Sequence, residues 1–125
     1  MYVKTISYTD YNGNERTEPF YFNFTKAELA EMELTSEGGM RARIDRIINA
    51  KDQARLVRMF KQLILDAYGE KSEDGKHFIK SKELSKRFSC TEAYSILFME
   101  LATNTEAAQA FVNGIIPQDI KNANK

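Results

Sequence analysis

The residue types that most often carry out chemistry are sparse in this chain of 125 residues. His77 is the only histidine, and its polar, charged neighbours favour a surface loop over a general base or a metal ligand. Cys90 is the only cysteine, so the sequence allows no disulfide within the chain and no cysteine-based zinc site, which fits a reducing cytoplasm. We interpret Cys90 as a small, semi-buried residue at the start of a helix.

Glycine and carboxylate patterns also give no catalytic signature. The Gly-x-Gly-x-x-Gly, Walker and Gly-x-Ser-x-Gly patterns are absent, and the pair Gly38-Gly39 is typical of a helix break. Four glutamates between residues 26 and 37 could in principle form a metal or acid-base site, but helical spacing spreads them around a solvent-facing side. They are Glu28, Glu31, Glu33 and Glu37. We therefore expect neither enzyme activity nor a cofactor or metal ion.

Charge is balanced overall but segregated along the chain. Lysine plus arginine and aspartate plus glutamate number 18 each, yet residues 41–61 hold seven basic residues against two aspartates. Within this segment Lys51, Arg55 and Arg58 recur at a spacing that predicts one positive stripe on a helix. Such a stripe could contact phosphates, pair with the acidic segment or remain solvated. The balanced net charge and the lack of interleaved aromatic residues argue against nucleic acid.

The sequence also predicts the secondary-structure elements that must position these residues. Together they indicate an α+β fold that is mainly α-helical. Length predicts a single domain over residues 1–125, with an N-terminal β-hairpin packed on a bundle of five or six short helices. Capping and periodicity signals place helices at about residues 25–35, 40–50, 52–68, 81–88, 91–103 and 105–113. Residues 118–125 read as a frayed tail. No apolar run approaches the length of a membrane span or of a signal peptide core, so we expect no membrane association.

The hairpin is predicted at about residues 2–24, with Asn12-Gly13 as a two-residue type I′ turn. That turn sets Val3 opposite Phe22 and Thr5 opposite Phe20. One face then collects Val3, Phe20, Phe22 and Phe24, which must pack on helices. The other face would hold Tyr2, Lys4, Ile6, Tyr8 and Tyr21. Pro19 cannot donate to a strand ladder, so we expect an open side of its strand there.

Local signals also predict particular helix ends. Thr25 with Glu28, and Ser89 with Glu92, match the capping-box pattern. Ser81 is a further N-cap residue. Asp74-Gly75 predicts a turn in the polar loop that follows the third helix.

The stretch YSILFMELA at residues 94–102 is the most apolar helical segment. At about 100° per residue, Tyr94, Leu97, Phe98 and Leu101 share one core-facing sector, whereas Ile96 and Met99 lie on the opposite side. Ala108, Phe111 and Val112 of the last helix could fold over Ile96 and Met99. Otherwise these two residues form a partner-binding surface, as could the exposed side of the hairpin with Tyr8 and Tyr21.

Four stretches, taken in order, carry a family resemblance along nearly the whole chain: YTDYNGNERTEPFYFNFTKAELAEMEL, SEGG, FKQLILDAYGEKSEDGKHFIKSKEL and FSCTEAYSILFMELATNTEAAQAFVNGIIP. In their order and content the chain resembles the small tail assembly chaperones of long-tailed, siphovirus-type phages and of prophages in Gram-positive bacteria. No single stretch is a diagnostic motif, and the family supplies no catalytic residues to transfer.

The resemblance implies a helical, non-enzymatic protein that binds the tape measure protein. It would keep that long protein soluble while tail-tube subunits assemble, act in the host bacterial cytoplasm and be absent from the mature virion. Self-association stays open. Two other interpretations also remain: a small virion structural protein of the head-tail connector type and a phage protein that binds nucleic acid.

Overall fold

The computed structural model describes residues 1–117 and has an α+β architecture that is mainly α-helical, as predicted. Within that range the elements run in the order β1 Tyr2–Thr9, β2 Glu15–Phe22, α1 Lys26–Thr35, α2 Gly39–Ile48, α3 Gln53–Ala67, β3 Tyr68–Lys71, β4 Phe78–Ile79, α4 Lys82–Ser89, α5 Glu92–Thr103 and α6 Thr105–Ile115. The predicted frayed tail at 118–125 lies outside the described residues.

β1 and β2 form the predicted hairpin, but their register differs from the predicted one by one residue. Phe22 pairs with Tyr2, whereas the predicted partner was Val3, and Phe20 pairs with Lys4 in place of Thr5. Because side chains alternate along a strand, this shift reverses the two faces of β1. Tyr2 packs against the core, and Val3 is 51% exposed. The inward positions predicted for Phe20 and Phe22 are correct, and the one predicted for Val3 is wrong.

The register follows from a hairpin loop of five residues, 10–14, in place of a two-residue turn. The Asp10 carboxylate accepts hydrogen bonds from the amides of Asn12 and Asn14, each at 2.9 Å. Its second oxygen accepts from Arg16 Nε at 2.6 Å. These bonds hold the pKa of Asp10 below its usual range, the arginine contributing most. Gly13 does lie in the turn, with φ +83°. The dipeptide Asn12-Gly13 therefore predicted the position of the turn correctly, but not the length of the loop.

The sheet has four antiparallel strands in the order β1-β2-β3-β4, and the sequence predicted only the first two. β3 pairs with β2 through Gly69 opposite Tyr21 and Tyr68 opposite Phe22. Pro19 lies beyond this short ladder, so β2 has the open side that was predicted there. β4 joins β3 through the predicted turn, where Gly75 has φ +76°.

The core lies between the inward face of the hairpin and the helices. Phe22 is fully buried at its centre, and its ring lies 5.5 Å from that of Phe111 and 5.6 Å from that of Phe88. Ile6, predicted to face outward, is only 3% exposed because of the register shift. The other buried apolar residues are Phe24, Leu29, Met40, Leu63, Ile64, Ala67, Ala93, Leu97, Leu101 and Ile115.

Two of the predicted helix caps are confirmed. The Thr25 hydroxyl accepts from the Glu28 amide at 3.1 Å, and the Glu28 carboxylate accepts from the Thr25 amide at 2.8 Å, which completes a capping box on α1. Ser81 caps α4 by accepting a hydrogen bond from the amide of Leu84 at 3.0 Å. Local sequence therefore determined where these two helices begin.

The predicted capping box of Ser89 and Glu92 is wrong. Ser89 is the last residue of α4, and its hydroxyl donates to the carbonyl of Lys86 at 2.7 Å. Thr91 is the N-cap of α5. Cys90 lies between the two helices and is exposed, not semi-buried as predicted.

Candidate partner-binding surface

The helix α5 buries one side and exposes the other. Ala93 and Leu97 are fully buried, and Leu101 is 3% exposed. On the opposite side Ile96 is 38% exposed and Met99 is 56% exposed. We call these two exposed residues the α5 patch. The division of the helix into two sides follows the predicted helical angles.

The last helix does not cover the α5 patch. Phe111 and Ile115 are fully buried, and the Phe111 ring makes an edge contact with Tyr2 at 5.1 Å. The apolar side of α6 is thus used in the core, beside the sheet. The predicted alternative in which Ala108, Phe111 and Val112 fold over Ile96 and Met99 is therefore wrong.

A charged pair fixes the flank of α5 beside the patch. Lys4 Nζ of β1 lies 2.9 Å from Glu100 Oε1, and both side chains are about one-third exposed. This hydrogen bond raises the pKa of Lys4. Glu100 follows Ile96 by four residues, so the two are neighbours on the helix surface. The apolar patch therefore has a polar border that is tied to the sheet.

Tyr8 and Tyr21 do not share the surface that the sequence predicted for them. Tyr8 lies on the inward face of the hairpin, 6.2 Å from the ring of Phe20. Its hydroxyl donates to the Glu18 carboxylate, and this bond raises the pKa of Tyr8. Tyr21 lies on the outward face, with Lys71 Nζ 5.8 Å from its ring centroid. The one-residue register shift separates the two tyrosines.

Lys51, Arg55 and Arg58 are all exposed, but they do not form one helical stripe. Asp52 caps α3 by accepting from the Ala54 amide at 3.0 Å, so Lys51 precedes the helix. Arg55 and Arg58 alone share the helical spacing. Among residues 1–117 no ion pair joins this basic segment to the four glutamates of the acidic segment. Of the three alternatives left open by the sequence, pairing with the acidic segment is therefore not found in the described part of the chain.

A cleft of about 330 Å³, which the sequence did not predict, lies where α1, α2 and α3 meet. We call it the α1–α3 cleft, and its lining residues are Met32, Ser36, Gly39, Arg43, Arg46, Met59 and Gln62. On each helix the lining residues recur at three- or four-residue spacing, so sequence could place them on shared faces. It could not show that the three faces meet.

Two polar side chains of the cleft, Arg43 and Gln62, are already hydrogen-bonded to Asp66. Arg43 Nη2 donates to Asp66 Oδ2, and Gln62 Nε2 donates to Asp66 Oδ1, each at 2.7 Å. Arg46 is exposed at the rim and has no ion pair within the described part of the chain. The cleft thus combines two methionine side chains with one uncompensated cation.

Within residues 1–117 no cluster of three or more histidine, cysteine, aspartate or glutamate side chains could hold a metal ion, and no helix is long and apolar enough to cross a membrane. The geometry described so far is that of surfaces suited to contact with other proteins. A family model described as phage tail assembly chaperone matches residues 1–125, which confirms the resemblance noted in the sequence. Searches of curated proteins and of solved structures found no match. Because the family match spans its whole length, the chain belongs to the phage tail assembly chaperone family.

Proposed function

We propose that this chaperone binds the tape measure protein through the α5 patch and keeps it soluble while tail-tube subunits assemble. The observation that supports this assignment is the exposure of Ile96 and Met99 on a helix whose opposite side packs in the core. Family membership supports a role in tail assembly, which requires protein partners. The α5 patch is the site where we expect a client to make apolar contact.

The chemistry of the α5 patch fits a long client of varying sequence. Apolar contact has no directional requirement, and methionine adapts to irregular surfaces because its side chain is flexible and polarizable. Fully burying a side chain of this size contributes at most about 1.5–3 kcal/mol. Two partly exposed residues therefore make a weak contact, which suits a chaperone that must later release its client.

We assign the contact to the α5 patch and not to Tyr8 and Tyr21, because those two rings lie on opposite faces of the hairpin. The exposed cations of Arg55 and Arg58, with Lys51 nearby, would add a separate, salt-sensitive contact to the client. In this proposal the protein acts by binding and not by catalysis, works in the host bacterial cytoplasm and leaves before the virion is complete.

The double variant Ile96→Asp/Met99→Asp tests the proposal by co-expression with the tape measure protein. Two carboxylates cannot enter an apolar contact without losing their hydration, so we expect the client to become insoluble and to escape pull-down. The matched control is Val3→Asp/Ile79→Asp, which changes two apolar side chains that are 51% and 54% exposed. The control should retain the client.

Circular dichroism of both variants shows whether the fold is intact. If the folded double variant still holds the client soluble, the α5 patch is not the contact. If the wild-type chain itself neither binds nor solubilises the tape measure protein, the proposed function is wrong. Equal losses in the two double variants would likewise reject the α5 patch, because charge alone would then explain them.

A further inference from the structure

The chain contains two Asn-Gly pairs, and they lie in different structural settings. Asn12-Gly13 lies in the exposed loop between β1 and β2, whereas Asn113-Gly114 lies in the last turn of α6. An asparagine followed by glycine is particularly prone to lose its side-chain amide, because glycine has no side chain to hinder attack by its own backbone nitrogen. The fold therefore decides which of the two pairs can react.

The hydrogen bonds around Asn12 depend on a single residue, Asp10. The Asp10 carbonyl accepts from the Gly13 amide at 3.0 Å, and the Asp10 carboxylate accepts from the amides of Asn12 and Asn14, each at 2.9 Å. Residues 11–14 are all exposed, and a Cβ atom placed on Gly13 would have no neighbour within 4 Å. The loop can therefore open without disturbing the core, and a local opening of this kind costs little free energy.

Asn113 is also exposed, but the residues around it are held by the core. Phe111 and Ile115 are fully buried, and the helical hydrogen-bond pattern of α6 engages the Gly114 amide. A Cβ atom placed on Gly114 would lie 2.9 Å from the ring of Tyr2. Freeing the Gly114 amide thus requires the end of α6 to leave the core, which is a far costlier opening than that of the hairpin loop.

We propose that Asn12 is a site of spontaneous deamidation in the folded protein and that Asn113 is protected from the same reaction. When the loop opens, the Gly13 amide loses its proton to water and its nitrogen attacks Cγ of Asn12. The new carbon–nitrogen bond closes a succinimide ring, and the side-chain nitrogen takes up a proton and leaves as ammonia. Water then opens the ring at either carbonyl and gives aspartate or isoaspartate. Water is the only other reactant.

Either product weakens the hydrogen bonds that close the hairpin loop. An aspartate at position 12 places a second carboxylate beside that of Asp10, so two like charges approach each other. An isoaspartate also lengthens the main chain between positions 12 and 13, which displaces the Asn14 amide from the Asp10 carboxylate that it now contacts at 2.9 Å. The modified loop should therefore open more readily than the original one.

Incubation of the full chain at mildly alkaline pH, followed by digestion in acid and mass spectrometry of the peptides, tests the proposal. Deamidation appears as the mass change from an amide to an acid, and acid stops the reaction because the attacking amide keeps its proton. In the folded protein Asn12 should react at least about tenfold faster than Asn113. In concentrated urea neither pair is held by the fold, so the two rates should agree within about threefold.

The variant Asp10→Ala tests the role assigned to the loop. It removes the carboxylate that holds the loop closed, so Asn12 should react at least about fivefold faster while the rate at Asn113 stays unchanged. The matched control Asp74→Ala removes the carboxylate of the other exposed turn, where it accepts from the Lys76 amide at 3.0 Å. That control should leave the rate at Asn12 unchanged, and circular dichroism shows whether both variants are folded.

Three results would overturn the proposal: equal rates at Asn12 and Asn113 in the folded wild type, an Asp10→Ala variant that reacts no faster at Asn12, or an equal acceleration by Asp74→Ala. If Asp10→Ala does not fold, the ratio of the two rates in the wild type still decides the outcome. Only this chain is present in the experiment, so the result does not depend on client binding.

Discussion

The pKa of Tyr68 depends on how its side chain is packed. Its ring stacks on that of Phe88, with centroids 4.2 Å apart and planes within 6° of parallel, and it lies 5.7 Å from Phe22. Burial raises the pKa of Tyr68 from 10.0 to about 12, and the nearby carboxylate of Glu70 adds to the rise. The folded protein therefore favours the neutral phenol.

This shift predicts a loss of stability at high pH. A group whose pKa is higher in the folded state stabilises the fold fully below its unfolded pKa, and that contribution disappears as the pH rises through the folded pKa. For Tyr68 the window runs from pH 10.0 to about 12. We expect Tyr68→Phe to reduce the fall in thermal unfolding temperature across this window. Burial also raises the pKa of Tyr2 and Tyr94, so a smaller fall should remain.

Tyr11→Phe is the matched control, because the Tyr11 side chain is 77% exposed in the hairpin loop. Its unfolding temperature should follow the wild-type curve between pH 10.0 and 12. Parallel curves for the wild type and Tyr68→Phe would contradict the assignment of this pH dependence to Tyr68.

At the scale of elements, the close approach of β3 and β4 depends on Gly69, which has no side chain. A Cβ atom placed on Gly69 would lie 2.7 Å from ring carbons of Phe78 and 2.8 Å from the carbonyl oxygen of Ile79. Gly69 also pairs with Tyr21 of β2, so the same residue belongs to the β2–β3 ladder and lies close to β4. The close approach of the two strands requires glycine here.

We therefore predict that Gly69→Ala destabilises the protein, because Phe78 or the β4 backbone must move to admit the methyl group. The expected cost is about 1–3 kcal/mol in the free energy of unfolding, measured by urea denaturation. The neighbouring exposed residue offers a control, since Glu70→Ala should change this free energy by less than about 0.5 kcal/mol. If the two variants are equally stable, the packing at Gly69 is not tight.

At the scale of the whole molecule, zero net charge conceals two segments of opposite charge. Residues 41–61 carry seven basic side chains, and only Arg43 among them has an ion pair within the described part of the chain. The acidic residues Glu31 and Glu37 of the neighbouring segment are also without ion pairs among residues 1–117. Charges without a partner in the chain contribute to the electrostatic field that steers charged partners toward a surface.

The proposed function predicts that the protein is absent from finished particles. A contact made by the α5 patch is weak, so the chaperone should dissociate once tail-tube subunits cover the client. Mass spectrometry should detect the chain in lysates of infected or induced cells and not in purified virions. Its presence in virions at a fixed ratio to tail proteins would instead indicate a structural component.

The sequence by itself determined the local features of this protein. The capping box of Thr25 and Glu28, the N-cap at Ser81 and the two-sided character of α5 depend on residues a few positions apart, and all were predicted correctly. Six helices and the hairpin followed from the same local rules. The family was recognisable because segment order and content persist along the chain.

Tertiary structure alone decided how these parts meet. The hairpin register is coupled to the packing of Tyr2, the partner of Phe22, against Phe111 of the distant helix α6. β3 and β4 are too short to be recognised without the distant strand β2 beside them. α6 leaves the α5 patch exposed because its apolar residues Phe111 and Ile115 are buried in the core. The α1–α3 cleft exists only because three helix faces converge. Short-range spacing fixes which side of an element is apolar, whereas long-range packing decides what that side contacts.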